Sequence, residues 1–351
     1  MGLPARWRVV VLAVAVAAWL VPAVPAGASA SGRVATAVNI DPTGLAIDPS
    51  GNLVIANAAN GRTQVVAARD GVFYGRHMTA GDIYTVDAPP PGTWAVDAHG
   101  NYIFGSSAYN SKTGEKALVR VVAASTGTFY GRAMTAGDTY TIASAAQPDP
   151  LLCATYVTAV VADTHGNVVF GTDSECEQAS QSGTVQVIAG SSGTFYGQVM
   201  TAGQVTTITN DPADRATGVS GVALDRYGNI VIGGNITASA LGDFGYVFVL
   251  AEQTGAFYGQ SMTAGDAYVI AGKVKPGKDG ANGRPAAKAA LEFPTLVAVD
   301  SQLDVMVADN HSPNGAVPDW TVRMIAEQTG TLFGQRVIKG DIYTVAGIEP
   351  Q

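Results

Sequence analysis

The stretch GVALDRYGNIVIGG, Gly221 to Gly234, is two short apolar runs on either side of Asp225-Arg226-Tyr227-Gly228-Asn229. Runs of Val, Ile, Leu and Ala four or five residues long favour strands. The Asp-x-x-Gly-Asn between them favours a tight reversal, because the Asp accepts backbone hydrogen bonds in its own turn while Gly and Asn tolerate positive φ. The stretch therefore reads as a β-hairpin. It recurs as GLAIDPSGNLVIAN from Gly44, TWAVDAHGNYIFGS from Thr93, AVVADTHGNVVFGT from Ala159 and LVAVDSQLDVMVAD from Leu296. In the last copy Leu303-Asp304 replaces Gly-Asn, which predicts a looser turn.

Each hairpin is followed by a third apolar run: TQVVAA from Thr63, LVRVVAAS from Leu118, TVQVIAGS from Thr184, YVFVLAEQ from Tyr246 and TVRMIAEQ from Thr321. Next comes a second recurring phrase, GTFYGRAMTAGDTYTI from Gly127 in its clearest form, which ends in a fourth run. Its other copies start at Gly71, Gly193, Gly255 and Gly330. No helical period intervenes. The turn residues Asp48, Asp97, Asp163, Asp225 and Asp300 lie 49, 66, 62 and 75 residues apart, longer than the roughly 40 to 50 of a common propeller blade. Extra residues between the third and fourth runs account for most of the excess. Four strands in one order, repeated five times, predict an all-β chain folded as a β-propeller of four-stranded antiparallel blades. Five blades are expected, with six as the alternative; ATAVNI from Ala35 is then an added strand at the closure.

The 351 residues open on MGLPARWR, an apolar run from Val9 to Leu20, and small residues at Ala28 and Ala30. This is the pattern of a secretory leader cleaved after Ala30, and the run is too short for the roughly 20 residues of a membrane span. The expected organisation is a signal peptide at 1–30 and a single propeller domain at 31–351, secreted or held in the cell envelope, with no transmembrane segment after cleavage. The leader holds Arg6 and Arg8, so the remaining 18 basic residues face 28 acidic ones, a formal charge of −10. Nucleic acid and anionic membranes are thereby excluded as favoured partners. Cys153 and Cys176 are the two cysteines, the first expected in the linker before the third repeat's hairpin and the second in the loop after that hairpin, and in an exported chain they predict one disulfide.

IANAANGRTQVV from Ile55 resembles the NHL repeat, with a polar Asn57 ending the second strand and Asn60 and Arg62 before the third. The segment from Ala271 to Asp300 is similar to the linker between NHL blades, at Gly280, Gly283, Pro285, Ala286, Ala290, Leu291 and Pro294. The resemblance, to secreted bacterial NHL-repeat β-propellers, covers nearly all of Thr36 to Gly347. It implies the propeller fold, and a range of roles from lyases and lactonase-like enzymes to binding platforms.

In an up-and-down blade the Asp-x-x-Gly-Asn turns and the FYG phrase share one side of the disc. The second-to-third-strand loops and the blade linkers share the other. The first side is nearly uniform among the repeats, as scaffolding is, whereas the second differs in every repeat, as a binding surface requires. On the uniform side the aromatic pairs are expected to pack, with carbohydrate stacking as the alternative. The turn aspartates are expected to accept hydrogen bonds within their own turns rather than form a calcium ring. On the variable side the candidate binding residues are Asp173, Asn235, Asp243, Asp309, Asn310, His311 and Asp319, with Glu175 and Glu177 nearby. Oxygen ligands there suit a possible Ca2+. The expected function is a binding scaffold for a protein or carbohydrate ligand. A metal-dependent lyase or lactonase-like enzyme with its site at the central channel is the alternative.

Overall fold

The computed structural model describes residues 33–48, 50–58, 60–74, 76–86, 94–110, 114–145, 153–176, 183–208, 217–238, 242–272, 282–311 and 320–348. Among them, every regular element apart from two 3-10 turns is a strand. In the fourth repeat, Thr217–Leu224, Ile230–Ala238, Gly242–Leu250 and Ala267–Ala271 pair in that order, each antiparallel to the next. The other four repeats build four-stranded sheets of the same connectivity. The chain is thus all-β, with five such sheets among the described residues.

The first strands form the hub. Trp94–Val96 touches Cys153–Ala162, which touches Thr217–Leu224, then Pro294–Val299, then Pro42–Ile47. The approach is closest between the fourth and fifth sheets, where a Cβ added at Gly221 would lie 2.8 Å from the Thr295 carbonyl oxygen. Only a glycine fits there. First strands at the centre and fourth strands outside are the radial order of a propeller.

The FYG phrase does more than lengthen a loop. Gly127–Phe129 and Arg132–Met134 form a separate two-stranded hairpin, and each repeat has its counterpart. The two residues between them, Tyr130 and Gly131, both have positive φ, 52° and 67°, as a two-residue hairpin turn of matching twist demands.

Several boundaries differ from expectation. The fifth turn is no looser than the rest: Asp300 N donates to the Asp304 carbonyl at 3.1 Å and Leu303 N to the Asp300 carbonyl at 3.2 Å. Leu303 accepts the left-handed conformation, φ 74°, that glycine takes elsewhere, because its side chain is buried in the core between the fourth and fifth sheets. The loops expected on the variable side of the second and fourth repeats are largely strand, and that of the third begins as strand, since their ladders run on to Asn110–Gly114, Ala238–Gly242 and Cys153–Cys176. Cys153 and Cys176 therefore end strands rather than lie in a linker and a loop. At the N-terminus, Arg33–Val34, not the ATAVNI segment, is the added strand, and it pairs with Ile83 and Asp82 of the first sheet's outer strand. The 3-10 turn Ala35–Ala37 follows it, against the outer strand Asp341–Gly347 of the fifth sheet. Arg284–Pro285 and Ala286–Lys288 repeat this arrangement between the fourth and fifth sheets.

The cores lie between sheets. Separate buried apolar clusters fill the joints between sheets two and three, three and four, four and five, and five and one. A smaller cluster on the first sheet, Val54, Val65, Ala67, Met78 and Tyr84, contains no residue of the second. The leader and its cleavage site fall outside the described residues. Among the described residues no helix is long and apolar enough to cross a membrane.

Candidate functional site

On the uniform side, the repeated residues bond to one another. Asp97 Oδ1 accepts His99 N at 2.8 Å and Asn101 N at 2.9 Å, and its Oδ2 accepts Asn101 Nδ2 at 2.9 Å and the Tyr130 hydroxyl at 2.6 Å. Tyr74 reaches Asp48 and Tyr258 reaches Asp225 in the same way, at 3.0 and 3.1 Å. Asn101 Oδ1 in turn accepts Ala124 N. Burial, then the Asp97 hydrogen bond, push the Tyr130 phenol well above its ordinary pKa, so it stays a donor. Tyr196 and Tyr130 are buried, and Phe129 meets His99 edge-on at 5.3 Å. The aromatic pairs pack, and the turn aspartates are occupied by their own turns. The sequence marked these residues as a set, but not the Tyr-to-Asp bond that ties hairpin to turn.

On the variable side, a bulge shapes the hub end of each described first strand except the short second one. The ladder skips Thr43, Thr158, Ser220 and Thr295, which are hydroxyl residues at one position of the repeat. Thr43 Oγ1 donates to the Ala56 carbonyl at 3.3 Å and Thr295 Oγ1 to that of Ala308 at 3.5 Å. Just beyond the bulge the residues differ. Asn57, Thr172, Gly234 and Asp309 face Pro42, Val157, Val219 and Pro294 in register. In the first sheet the Asn57 Oδ1 accepts Asp41 N at 2.9 Å, and its amide donates to Gln64 Oε1 at 2.5 Å.

In the fifth sheet the same position carries charge. Asp309 is fully buried; its Oδ1 accepts Phe293 N at 2.8 Å and Glu292 N at 3.1 Å. His311 Nε2 lies 3.9 Å from Asp309 Oδ2 and 2.8 Å from Thr321 Oγ1. Arg323, also buried, donates from Nη1 to the Ala290 carbonyl at 2.9 Å. Burial pushes the Asp309 carboxyl up, against the opposing pull of His311, the two backbone N–H groups and Arg323. The sequence alone did not single out Arg323; its one signal there is a charge in an otherwise apolar third run.

Asp173 and Asn235 meet across the joint of the third and fourth sheets. A Cβ at Gly218 would lie 2.8 Å from Asn235 Oδ1 and 3.2 Å from Asp173 Oδ2, and Ser220 Oγ donates to Asn235 Oδ1 at 3.4 Å. Asn235 begins an Asn-Ile-Thr sequon, but it is a buried strand residue, 1% exposed. A glycan has no access to it. Asn310 N donates to the Phe293 carbonyl at 3.1 Å. Asp243 pairs with Thr237 in its ladder, its side chain lying outside the description, as does that of Glu175. Asp319 and Glu177 lie outside the described residues. The structure thus brings together Asp309 with His311, and Asp173 with Asn235, as two separate groups.

A Ca2+ ion does not fit around Asp309. A hard cation needs six to eight outward oxygen ligands, whereas this carboxylate accepts backbone N–H groups and sits beside Arg323 and His311. Among the described residues no three His, Cys, Asp or Glu side chains converge as a metal site. The polar atoms of this group bond to the chain itself, at Phe293 N, Thr321 and the Ala290 carbonyl, which suits holding a loop in place better than activating water.

No family model matches the chain, and no curated protein does either. Solved structures with a similar outline include a gluconolactonase from Xanthomonas campestris, 10% identical over 86% of this chain and 78% of that one, TM-score 0.36. A virginiamycin B lyase from Staphylococcus aureus is 7% identical over 90% and 87%, TM-score 0.29. An α-L-arabinanase from Penicillium chrysogenum is 10% identical over 83% and 80%, TM-score 0.35. At such identities and scores these likenesses carry nothing about the site, and the propeller assignment stands on the five sheets themselves.

Proposed function

We propose that the chain is a secreted, NHL-like propeller that binds a protein or carbohydrate through its variable side, without catalysis. One observation carries this reading. The polar group on that side, buried Asp309 and Arg323 with half-buried His311, spends its hydrogen bonds on the chain itself: on Phe293 N and Glu292 N, on Thr321, and on the Ala290 carbonyl. A catalytic constellation leaves a base or ligand facing an open position. Here the polar interior instead anchors the ends of strands whose connecting segments differ in every repeat. Rigid ladders carrying dissimilar tips are the build of a recognition surface.

The test compares the two sides of the disc on a glycan array and against candidate protein ligands. Replacing residues 312–319 by a Gly/Ser segment is expected to weaken binding at least about tenfold, the effect of losing one good contact set. Arg132→Ala on the uniform side is expected to leave it unchanged. The reverse pattern overturns the reading. Elemental analysis that finds a stoichiometric divalent metal in the purified chain favours the lyase or lactonase-like alternative.

A further inference from the structure

Each repeat packs one set of side chains on the next sheet. In the fourth, Val249, Ala251, Phe257 and Met262 are buried with Val297, Val305 and Val307 of the fifth. The joints of sheets two and three, three and four, and five and one repeat the pairing, the hairpin-bearing face of one sheet against the opposite face of the next. The first repeat holds the same set at Val65, Ala67, Phe73 and Met78, yet its cluster has no residue of the second sheet. Tyr74 of its hairpin is 38% exposed, whereas Tyr130, Tyr196, Tyr258 and Phe333 are at 6%, 2%, 8% and 6%.

The facing side of the second sheet differs in size. Counted from the turn aspartates, Trp94 stands where the other repeats have Leu45, Val160, Val222 and Val297, and Tyr102 where they have Leu53, Val168, Ile230 and Val305. Those last four are completely buried; Tyr102 is 41% exposed and Trp94 43%. The two rings lean together at 5.7 Å between centres, and Tyr102 meets Phe104 at 5.6 Å. A joint built to the pattern of the other repeats has room for a valine or a leucine at each position. An indole and a phenol there overfill it, and close-packed sheets do not compress to make room.

We infer that Trp94 and Tyr102 prop the ring ajar between its first and second repeats, and that this joint shuts, as the other four do, when their bulk is withdrawn. The element that shuts on the second sheet is the chain's own first sheet. It carries the face that fills every other joint, and residues 87–93 tether it to the second, so it meets that sheet at an effective concentration far above that of a free second copy. Shutting brings Tyr74 towards Ala124, the positions at which Phe333 N reaches the Ala68 carbonyl at 3.0 Å between the fifth and first repeats. Ala68 and Ala124 correspond, since each donates its N–H to the turn asparagine of its own repeat, and Ala124 is exposed. The first strands touch in turn from Trp94–Val96 round to Pro42–Ile47, and the propped joint lies between the two ends of that series. A ring that gives at this one joint shifts the first repeat's tips against the second's while the other spacings stay fixed.

Hydroxyl-radical footprinting of the purified chain, read at Tyr74 by peptide mass spectrometry, is the test, with Tyr227 of the fourth repeat, 39% exposed, as internal standard. Trp94→Val/Tyr102→Val gives the second repeat side chains that the others carry, and Tyr102→Phe keeps the ring while removing the hydroxyl. Tyr74 is expected to be modified about as fast as Tyr227 in the wild type and in Y102F. In W94V/Y102V it is expected to slow at least about fourfold, in proportion to the fall from its present exposure to that of Tyr130 and Tyr258. Single W94V and Y102V variants are expected to fall between, with circular dichroism unchanged throughout because both side chains are half exposed. A wild-type Tyr74 as protected as Tyr196 overturns the inference, and so does a W94V/Y102V chain in which Tyr74 stays as reactive as in the wild type. A Y102F chain that shuts overturns it as well, because the hydroxyl's need for water would then be the cause. Protection that appears only as W94V/Y102V dimerises in sedimentation velocity counts against it equally, since a second copy then covers the face.

Discussion

At the scale of the residue, one hydroxyl ties hairpin to turn in three of the five copies of the repeated phrase. A tyrosine at positive φ is strained by about 1 kcal/mol or more, and four repeats tolerate it, at Tyr74, Tyr130, Tyr196 and Tyr258. In three of them the conformation aims the phenol at the turn aspartate of the same repeat. A buried hydrogen bond to a charged acceptor contributes about 1.5 to 3 kcal/mol, enough to outweigh the strain. Tyr130→Phe is therefore expected to cost about 2 kcal/mol by urea denaturation. Tyr74→Phe, at a phenol 38% exposed, is expected to cost clearly less. Equal losses at the two positions, or a Y130F effect under about 0.5 kcal/mol, would count against this role. The fifth repeat is the natural variant: Phe333 lacks the hydroxyl, and there Asp304 takes over the asparagine's part by accepting Glu327 N at 2.6 Å.

At the scale of the element, strands and turns were legible because their cause is local. Alternation of Val and Ile with an Asp-x-x-Gly-Asn turn needs no partner to be recognised, and every such hairpin formed. The lengths of the strands were not legible. In residues 106–110 and 235–238 the one large aliphatic residue is Ile236, and what makes them strand is the partner across the ladder, which a run of sequence does not reveal. The same blindness misplaced the cysteines. Cys153 and Cys176 face each other directly in an antiparallel pair, where opposite Cα atoms are about 4.5 to 5.5 Å apart, inside the span a disulfide bridges. The proposed bond closes the open end of that ladder and is worth about 3 kcal/mol by loop entropy. The oxidised chain is expected to weigh about 2 Da less than the reduced one and to resist alkylation until reduced. C153S/C176S is expected to melt lower. Two thiols that react freely in the native chain would remove the bond from the picture.

At the scale of the whole molecule, the joints between repeats hold acidic groups that the core clusters make expensive to charge. Glu252 receives Tyr196 N at the joint of the third and fourth repeats, and burial raises its pKa to about 7, the neighbouring Asp163 adding to it. Burial, and then the Asp304 carboxylate four residues on, raise Asp300 to about 6. Asp304 is raised by burial too, as is Glu327, which sits 3.1 Å from Lys339. In the unfolded chain these groups release their protons near pH 4. Between about pH 4 and pH 7 the folded chain therefore holds more protons than the unfolded one, and stability falls as pH rises through that window. Above pH 7 both states are deprotonated at these sites and the contribution levels off. Tm is accordingly expected to be higher at pH 5 than at pH 7.5, with E252Q and D300N each flattening the slope. Asp304→Asn separates the two causes at Asp300, because it restores the Asn-to-Asp bond of the other repeats, such as Asn229 Nδ2 to Asp225 Oδ2 at 2.8 Å, and removes the facing charge while leaving the burial. It is expected to stabilise the chain by about 1 kcal/mol at pH 7.5 and by less at pH 5, where Asp300 is already largely protonated. A Tm that rises steadily from pH 5 to 7.5, or a D304N gain that does not depend on pH, would mean that the joints are not where the chain feels its acidity.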